Sequence, residues 1–281
     1  MQTRKLYYED SHLKTFRAQV LSCQPEKDSF VVTLDATAFY PEGGGQAGDT
    51  GVLGGVRVLD THERGETVTH YCAAPLEPGQ TVEGTIDWEA RFRRMQQHSG
   101  EHIVSGMLCA RFACDNVGFH MGEDLVTIDY NADIPWDALL AVEAAANRYL
   151  WEDHPVDIRL HRGEELAAID YRSKKAIPGD VRIVTFPGAD CCACCGTHVK
   201  TSAEVGLVKF LSVQKFRQGV RIELLCGGRA QRYLSRCWEQ ARATGQALSV
   251  KPEASFPAVE KLLTELSARK ADAAQWQTLA F

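Results

Sequence analysis

The sequence has no long apolar run. A membrane span needs about 18 consecutive apolar residues, and no such stretch occurs in it. The first residues, MQTRKLYYED, also lack the apolar centre of a secretory signal. We therefore expect a cytoplasmic protein without a membrane partner. Its ten cysteines are too few for a disulfide scaffold in a chain of 281 residues, and reduced cytosolic thiols favour metal binding or burial instead.

An excess of positive charge is absent as well. The chain has 31 lysines and arginines against 37 aspartates and glutamates, which is a formal net charge of −6. This balance argues against a protein that coats nucleic acid nonspecifically, although an acidic protein can still carry a local basic surface. Internal repeats and low-complexity segments are also absent, and a hydrophobic content of 44% is enough for a folded core.

The pattern of apolar residues divides the chain into three segments. Residues 1–86 carry short β-rich runs separated by turns, which predict a small antiparallel barrel or sandwich. Residues 87–228 predict an α+β domain, with a helix after the cap Asp87, a second helix from Trp136 to Trp151, and strands such as VRIVTF. Residues 229–281 are helix-rich and predict a linker or a dimer arm, so we expect a homodimer through this C-terminal helix.

The motif HSGEH places two histidines four residues apart on the first predicted helix. This spacing brings His98 and His102 to one face, so both imidazoles can bind a single metal ion. The pair alone is weakly specific, because histidines at this spacing also occur on helix surfaces and in cores. A metal site therefore needs further ligands from elsewhere in the chain.

The segment DCCACCGTHV can supply them, since it places four cysteines and a histidine in ten residues. Cys194 and His198 lie at a CxxxH spacing in a glycine-containing turn, between the strand VRIVTF and a strand that we expect to begin at Val199. Two histidines from a helix, with a cysteine and a histidine from a turn, form a tetrahedral set of nitrogen and sulfur donors. Such a set suits Zn²⁺ better than Mg²⁺ or Ca²⁺. We therefore predict one zinc ion held by His98, His102, Cys194 and His198.

Together, three motifs resemble a known family. HSGEH, CCGTHV and the upstream AFYPEGGGQAGDTG are similar to the freestanding alanyl-tRNA editing proteins of the AlaX type and to the editing domain of alanyl-tRNA synthetase. The family pattern is HxxxH followed by CxxxH in a CGGTH-like turn, preceded in longer members by a barrel with a GGGQ loop. The resemblance covers roughly residues 6–228, and it departs from the pattern at Cys195, where the family has a glycine.

The resemblance implies a fold and an activity. The implied fold is α+β: a small N-terminal antiparallel β-barrel followed by an α+β zinc-containing editing domain and a C-terminal helical segment. The implied activity is hydrolysis of the ester in misacylated tRNA(Ala), with removal of serine, and sometimes glycine, from its acceptor end. The GGGQ loop would close over this end, and His120 would orient water or substrate. The substrate contacts that we predict are Thr37, Gly43, Gly44, Gly45, Gln46 and Thr197.

Other assignments rest on the residues themselves and leave alternatives open. Glu101 precedes a predicted ligand and could act as a general base toward water. It could equally face solvent, because one step along a helix turns a side chain by about 100°. The GGGQ loop could be a simple turn between strands. Cys191, Cys192 and Cys195 could pack as ordinary thiols, or compete for the metal and oxidise.

Basic clusters near the predicted metal residues are candidate RNA contacts. RFRR precedes HSGEH, and RSKK lies between the two halves of the predicted site. Phosphate contacts of this kind make binding salt-dependent, while selection of the alanine tRNA must come from the shape or groove edges of its acceptor stem. The candidates are Arg91, Arg93, Arg94, Arg172, Lys174 and Lys175.

Two other function classes fit parts of the pattern. HSGEH also matches HxxEH, an inverted zinc-protease motif, in which a downstream carboxylate would replace Cys194 as a ligand. A noncatalytic zinc-containing tRNA-binding protein would carry the same four ligands without turning over the ester. Editing accounts for all three motifs, so we expect a zinc-dependent aminoacyl-tRNA deacylase.

Overall fold

A computed structural model describes residues 2–173 and 179–279 of the chain. Residues 1–230 form one compact unit and residues 231–281 form a second. The main sheets are antiparallel and the strands and helices occur largely in separate runs, which confirms the predicted α+β class. The predicted domain boundaries at residues 86 and 228 stay predictions. In this described part of the chain, no helix combines the length and the apolar character that a membrane span requires.

The first half of the larger unit is built mostly from antiparallel strands, with one short parallel pair. Its elements are β1 Arg4–Lys5, α1 Leu6–Glu9, β2 Thr15–Glu26, β3 Ser29–Leu34, β4 Ala36–Thr37, β5 Gly51–Leu53, β6 Val56–Arg64, β7 Thr67–Cys72 and β8 Thr81–Ile86. The strands β2, β3, β7, β6, β5 and β8 pair in this order, and β8 pairs back with β2. The sheet therefore closes into a barrel, which leaves these strands without a free edge.

Alternation of apolar and polar residues explains why these segments form a barrel. Along the first half of β2, Phe16, Ala18 and Val20 are buried while the residues between them are exposed. Successive side chains of a strand point to opposite faces, so a period of two turns one face toward the core. The core of the barrel also contains the fully buried Leu34 and Phe39.

The second half of the larger unit holds helices against two further sheets. Its elements are α2 Trp88–Phe112, β9 Asn116–Met121, β10 Val126–Tyr130, α3 Trp136–Trp151, β11 Asp157–His161, α4 Gly163–Ala167, β12 Val181–Phe186, β13 Asp190–Ala193, β14 Val208–Phe216 and β15 Gly219–Cys226. One sheet has the order β14-β15-β10-β9, and the other has the order β11-β12-β13. All their pairings are antiparallel.

Helix α2 is the element that positions the site. The side chain of Asp87 accepts a hydrogen bond from the backbone N–H of Ala90, so the predicted cap begins the helix. The helix ends at a left-handed residue, Ala113. Between these ends its buried face contacts β9, β13, β15 and α3. Trp88 in its first turn packs against the barrel core as well as the α+β core, which ties the two halves together.

One predicted strand does not form. Val199, where we expected a strand to begin, lies in irregular backbone, and its N–H donates to the hydroxyl of Ser99 on α2 over 3.2 Å. A strand forms earlier instead, because β13 pairs with β12 directly upstream of the predicted ligand Cys194. The turn with the second pair of predicted ligands is thus anchored by a sheet before it and by a helix beside it.

Two helices follow the last strand, α5 Gly227–Ala247 and α6 Ser255–Leu279. They agree with the helical character predicted for this region. A dimer contact through the C-terminal helix stays a prediction.

Candidate metal centre

Four side chains meet where α2 approaches the turn after β13. The ring nitrogens of His98, His102 and His198 and the sulfur of Cys194 all lie within 4.8 Å of one another. The sulfur is 3.5 Å from Nε2 of His98 and 3.3 Å from Nε2 of His198. The structure therefore brings together the four residues that the sequence predicted as metal ligands.

The helix and a tightly held turn place these side chains. His98 and His102 lie about one turn apart on the buried face of α2. On the other side, Arg182 in β12 donates from Nη1 to the carbonyl oxygens of Cys194 over 2.7 Å and of Gly196 over 3.0 Å. A Cβ at Gly196 would collide with the ring of His98. Glycine is thus required for the turn to come this close to the helix.

Each histidine of the cluster is held from behind through Nδ1. The distances are 3.2 Å from His98 to Oε1 of Gln46, 2.9 Å from His102 to Oδ2 of Asp190, and 3.1 Å from His198 to Oγ of Ser99. Contacts of this kind fix the orientation and tautomer of a ligating imidazole. With Nδ1 engaged, Nε2 of each ring is the nitrogen available to the cluster.

The electrostatics favour a thiolate at Cys194. Burial raises the pKa of this thiol, but the neighbouring histidines together outweigh burial and hold the pKa well below its usual value. Burial lowers the pKa of His198 to about 3, so its imidazole is neutral at pH 7. At His102 burial lowers the pKa, but Cys194 and Asp190 together raise it well above the usual value. A buried thiolate surrounded by imidazoles is well suited to bind a cation.

The donor set fits zinc. Imidazole nitrogens combined with a cysteine sulfur are typical of tetrahedral zinc sites, whereas Mg²⁺ and Ca²⁺ prefer oxygen ligands. A second group, His102, Asp190 and Cys192, also has its ligand atoms within 4.8 Å of one another. Burial raises the pKa of the Cys192 thiol to about 11, so that thiol stays protonated at pH 7. The four-residue cluster is therefore the better metal centre.

The GGGQ loop of the barrel reaches this cluster. Gly43 and Gln46 exchange backbone hydrogen bonds of 3.0 Å in both directions, which makes the loop a tight turn. Gly45 has a φ of +83°, and a Cβ there would press on the ring of Phe119. That ring stacks on His98, with the ring centroids 5.4 Å apart. By contrast, a Cβ at Gly44 would meet open space.

Gln46 joins the loop to the ligand turn. Its Nε2 donates to Oγ1 of Thr197 over 2.8 Å, and the backbone N–H of Thr197 donates to its Oε1 over 3.3 Å. Thr37 is buried inside the barrel, where its hydroxyl lies 2.8 Å from Nε2 of His70. All these contacts are internal to the protein. Direct contact of Thr37, Gln46 or Thr197 with a substrate stays a prediction, as it does for the glycines of the loop.

The structure does not bring Glu101 into the ligand cluster. Oε1 of Glu101 accepts hydrogen bonds from Oγ of Ser105 and Nδ2 of Asn116, each over 2.6 Å. The Ser105 hydroxyl lies 2.7 Å from that of Tyr130, so the carboxylate belongs to a buried polar network. Neither expectation, a base beside the metal or a solvent-facing carboxylate, describes this position. Glu101 helps to hold α2 against the sheet.

His120 lies on the exposed face of its strand, away from the buried core. In the pairing of β9 with β10, His120 is opposite Thr127, and Phe119 is opposite the buried core residue Ile128. Because successive side chains alternate between faces, Phe119 points toward His98 while His120 is exposed on the other face. Phe119 therefore occupies that side of the cluster, and a role of His120 in orienting water or substrate stays a prediction.

The predicted RNA contact at Arg91 is also corrected. Arg91 is completely buried, and its guanidinium pairs with the carboxylate of Asp49. It therefore joins α2 to the barrel and cannot reach a phosphate. The side chain of Arg93 is 40% exposed, and Arg94 lies 3.5 Å from Asp49 with most of its side chain covered. Contact of Arg93 and Arg94 with RNA stays a prediction.

Sequence reasoning missed Arg182 and the inward-facing position of Arg172. Lys174 and Lys175 of the RSKK motif lie outside the described residues, but Arg172 of the same motif points inward and forms a two-bond pair with Asp190. Arg182 holds the ligand turn, as described above. A sequence pattern does not distinguish an inward-facing arginine from a solvated one, so no signal could have found either of them.

The other thiols of DCCACCGTHV lie outside the four-residue cluster. Cys191 is half-buried, Cys192 is buried and Cys195 is exposed. The sulfur of Cys191 lies 3.6 Å from Oγ1 of Thr185 on the paired strand β12. The placement of Cys191 favours the packing role over a ligand role.

Comparison with known proteins identifies the family of the chain. A family model described as tRNA synthetases class II (A) matches residues 2–90, and one described as threonyl and alanyl tRNA synthetase second additional domain matches residues 181–223. The alanyl-tRNA editing protein AlaX-L of Pyrococcus horikoshii is 34% identical over 268 residues, which are 92% of this chain and 66% of that protein. Alanyl-tRNA editing protein Aarsd1-A of Xenopus laevis is 30% identical over 277 residues, 92% of this chain and 67% of that protein. The chain belongs to the alanyl-tRNA editing protein family.

The chain is also similar to part of longer proteins. The alanine–tRNA ligase of Thermofilum pendens is 36% identical over 281 residues, which are 95% of this chain and 30% of the ligase. The chain thus spans about two thirds of the length of the editing proteins that it matches and a smaller part of the ligase. The second family model covers the turn with Cys194 and His198.

Proposed function

We propose that the chain hydrolyses, in trans, the ester between tRNA(Ala) and a wrongly attached amino acid, serine first and glycine also. The observation that carries this proposal is the buried cluster of three histidines and Cys194 against the GGGQ loop. The printed names of the relatives, alanyl-tRNA editing proteins, support it. Such an activity is needed because glycine and serine differ too little from alanine for binding alone to exclude them.

The proposed cofactor is one zinc ion held by His98, His102, Cys194 and His198. Bound there, zinc would supply a Lewis acid that stabilises negative charge developing on the ester. The contribution of the chain is preorganisation: Gln46, Asp190 and Ser99 hold the imidazoles so that no reorientation is needed when substrate binds. Phe119 and the glycine loop cover His98 and exclude water from that side.

The proposed substrate partner is the acceptor end of tRNA(Ala). Arg93, Arg94, Lys174 and Lys175 would contact its phosphates, which predicts binding that weakens as salt increases. The open space above Gly44 is compatible with a loop surface that faces the aminoacyl group. The hydroxyl of serine offers a recognition group that correctly attached alanine lacks. A homodimer through the C-terminal helix and a cytoplasmic location belong to the same proposal.

Deacylation assays with seryl-, glycyl- and alanyl-tRNA(Ala), with zinc content measured in parallel, test the proposal. We expect the wild-type chain to release serine and to spare alanine. Cys194→Ala should lose zinc and activity together. Cys195→Ser is the matched control, since Cys195 is the adjacent, exposed thiol outside the cluster; it should retain both.

Two other outcomes would replace the proposal. Zinc-loaded protein that binds tRNA but leaves all three esters intact under single-turnover conditions would be a noncatalytic tRNA-binding protein. If Cys194→Ala keeps its zinc and the protein cleaves peptides, the HxxEH metalloprotease alternative, with a carboxylate as third ligand, would be favoured.

A further inference from the structure

The carboxylate of Asp190 connects a proposed metal ligand to an arginine. Its Oδ2 lies 2.9 Å from Nδ1 of His102 and accepts a hydrogen bond from Nη2 of Arg172, also over 2.9 Å. Its Oδ1 accepts from Nε of Arg172 over 2.7 Å. The Asp190 side chain is 1% exposed, so these contacts are shielded from water. Both carboxylate oxygens are thus engaged by protein donors.

The backbone of Arg172 is tied to the strand that carries Asp190. The N–H of Arg172 donates to the carbonyl oxygen of Cys191 over 2.8 Å, and the N–H of Ala193 donates to the carbonyl oxygen of Arg172 over 2.9 Å. These bonds place Arg172 as a parallel neighbour of Cys192 on β13. This pairing with the sheet therefore places the guanidinium of Arg172 beside the carboxylate of Asp190. A planar fork with two parallel hydrogen bonds holds a carboxylate in one orientation.

We propose that Arg172 is a positioning residue for the ligand His102 and acts through Asp190. This inference rests on the proposed metal centre. The fork of Arg172 keeps the carboxylate from turning, and the carboxylate keeps the proton of His102 on Nδ1. Nε2 of His102 then faces the cluster in a fixed direction and would give its lone pair to the zinc ion when one is bound. Without Arg172, the buried carboxylate would keep its bond to His102 but lose the contacts that fix its plane.

A second arginine–aspartate fork in the same unit offers a matched control. Nε of Arg221 donates to Oδ1 of Asp129 over 2.7 Å, and Nη2 donates to Oδ2 over 2.8 Å. The two residues face each other across β10 and β15, on the same face of the sheet as Thr127 and opposite to the buried core. Arg221→Met therefore breaks an equivalent pair without touching the proposed ligands.

The test is the affinity of the full chain for zinc, measured by competition with a chromophoric chelator. Asp190→Asn should weaken binding by about 10- to 100-fold, as is typical when the partner of a ligating histidine is lost, and Arg172→Met by about tenfold. Arg172→Lys should lose less, because lysine restores the charge but not the fork. Arg221→Met should bind zinc like the wild type. The absorption bands of the cobalt-substituted protein should shift in the first two variants only, since they report coordination geometry.

Unchanged zinc affinity and an unchanged cobalt spectrum in Arg172→Met would overturn the inference. Equal losses in Arg172→Met and Arg221→Met would also overturn it, because the effect would then be general destabilisation. If the methionine variant does not fold, an affinity of Arg172→Lys equal to that of the wild type overturns it instead. A wild-type chain that binds no zinc removes both this inference and the proposed centre. The expected affinities combined with no deacylation would overturn the proposed function alone.

Discussion

Gln46 and Thr197 are joined by a hydrogen bond of 2.8 Å although 151 positions separate them in the chain. Gln46 ends the glycine loop of the barrel, and Thr197 immediately precedes the ligand His198. Because Oε1 of Gln46 also lies 3.2 Å from Nδ1 of His98, one amide contacts both halves of the proposed metal centre. The barrel supplies none of the four ligands, but it holds two of them in place.

Replacing Gln46 should therefore destabilise the protein. Gln46→Ala leaves buried polar atoms of Thr197 and His98 without this partner, and an unsatisfied buried group costs about 1–3 kcal/mol. Urea denaturation with and without the substitution measures this loss. Gln19→Ala is the control, because Gln19 is exposed and its amide bonds to Gly79 at the barrel surface; it should change stability by less than about 0.5 kcal/mol. Equal losses of unfolding free energy in Gln46→Ala and Gln19→Ala would mean that the contacts of Gln46 do not stabilise the fold.

Removal of zinc should lower the stability of the folded state. A ligand that binds only the native protein stabilises it by about 4 kcal/mol at a free concentration 1,000 times its Kd. We expect a chelator to lower the Tm of the wild type and to leave the Tm of Cys194→Ala unchanged, because that variant lacks a ligand. Thermal unfolding followed by circular dichroism checks this. A wild-type Tm that does not respond to the chelator would speak against a resident metal.

Arg91 and Arg93 should behave in opposite ways although they are two residues apart. Arg91→Met removes the hydrogen-bonded cationic partner of the buried Asp49 carboxylate and leaves only the more distant cation of Arg94, 3.5 Å away, which we expect to cost about 3–5 kcal/mol of unfolding free energy. Arg93→Met should change stability by less than about 0.5 kcal/mol but weaken tRNA binding and reduce its salt dependence. Denaturation and filter binding at several salt concentrations separate the two effects. Normal stability of Arg91→Met with weakened tRNA binding would restore its assignment as an RNA contact.

The buried His70 should make the protein sensitive to acid. Burial lowers its pKa from 6.5 to about 4, so the neutral ring is the form that the folded barrel accepts. As the pH falls below about 6.5, the unfolded chain takes up the proton first, and stability is lost by up to about 1.4 kcal/mol per pH unit until the folded state is protonated as well. Above about pH 6.5, His70 is neutral in the folded and the unfolded state and does not make stability depend on pH.

Unfolding free energies at pH 7 and pH 5 measure this linkage. The difference between the two values should be smaller in His70→Gln than in the wild type, whatever the substitution costs at pH 7. An identical difference in both proteins would show that another group controls the acid sensitivity.

Local patterns in the sequence determined most of the elements and the four residues of the cluster. Asp87 caps α2 as expected, and the bounds of α3 and β12 agree with the prediction. Helix caps and periodicity act over a few neighbouring residues, so they can be read without a structure. The same holds for the HxxxH and CxxxH spacings, because a single helical turn or a short loop sets the distance within each pair.

Only the tertiary structure decided which way the other side chains face. Glu101, Arg91 and Arg172 have the chemistry that the sequence suggested, but packing turns each of them away from the expected role. Their surroundings come from segments far away in the chain, and burial and strand register depend on how those segments meet. A residue type indicates what a side chain can do, whereas its neighbours in space determine what it does.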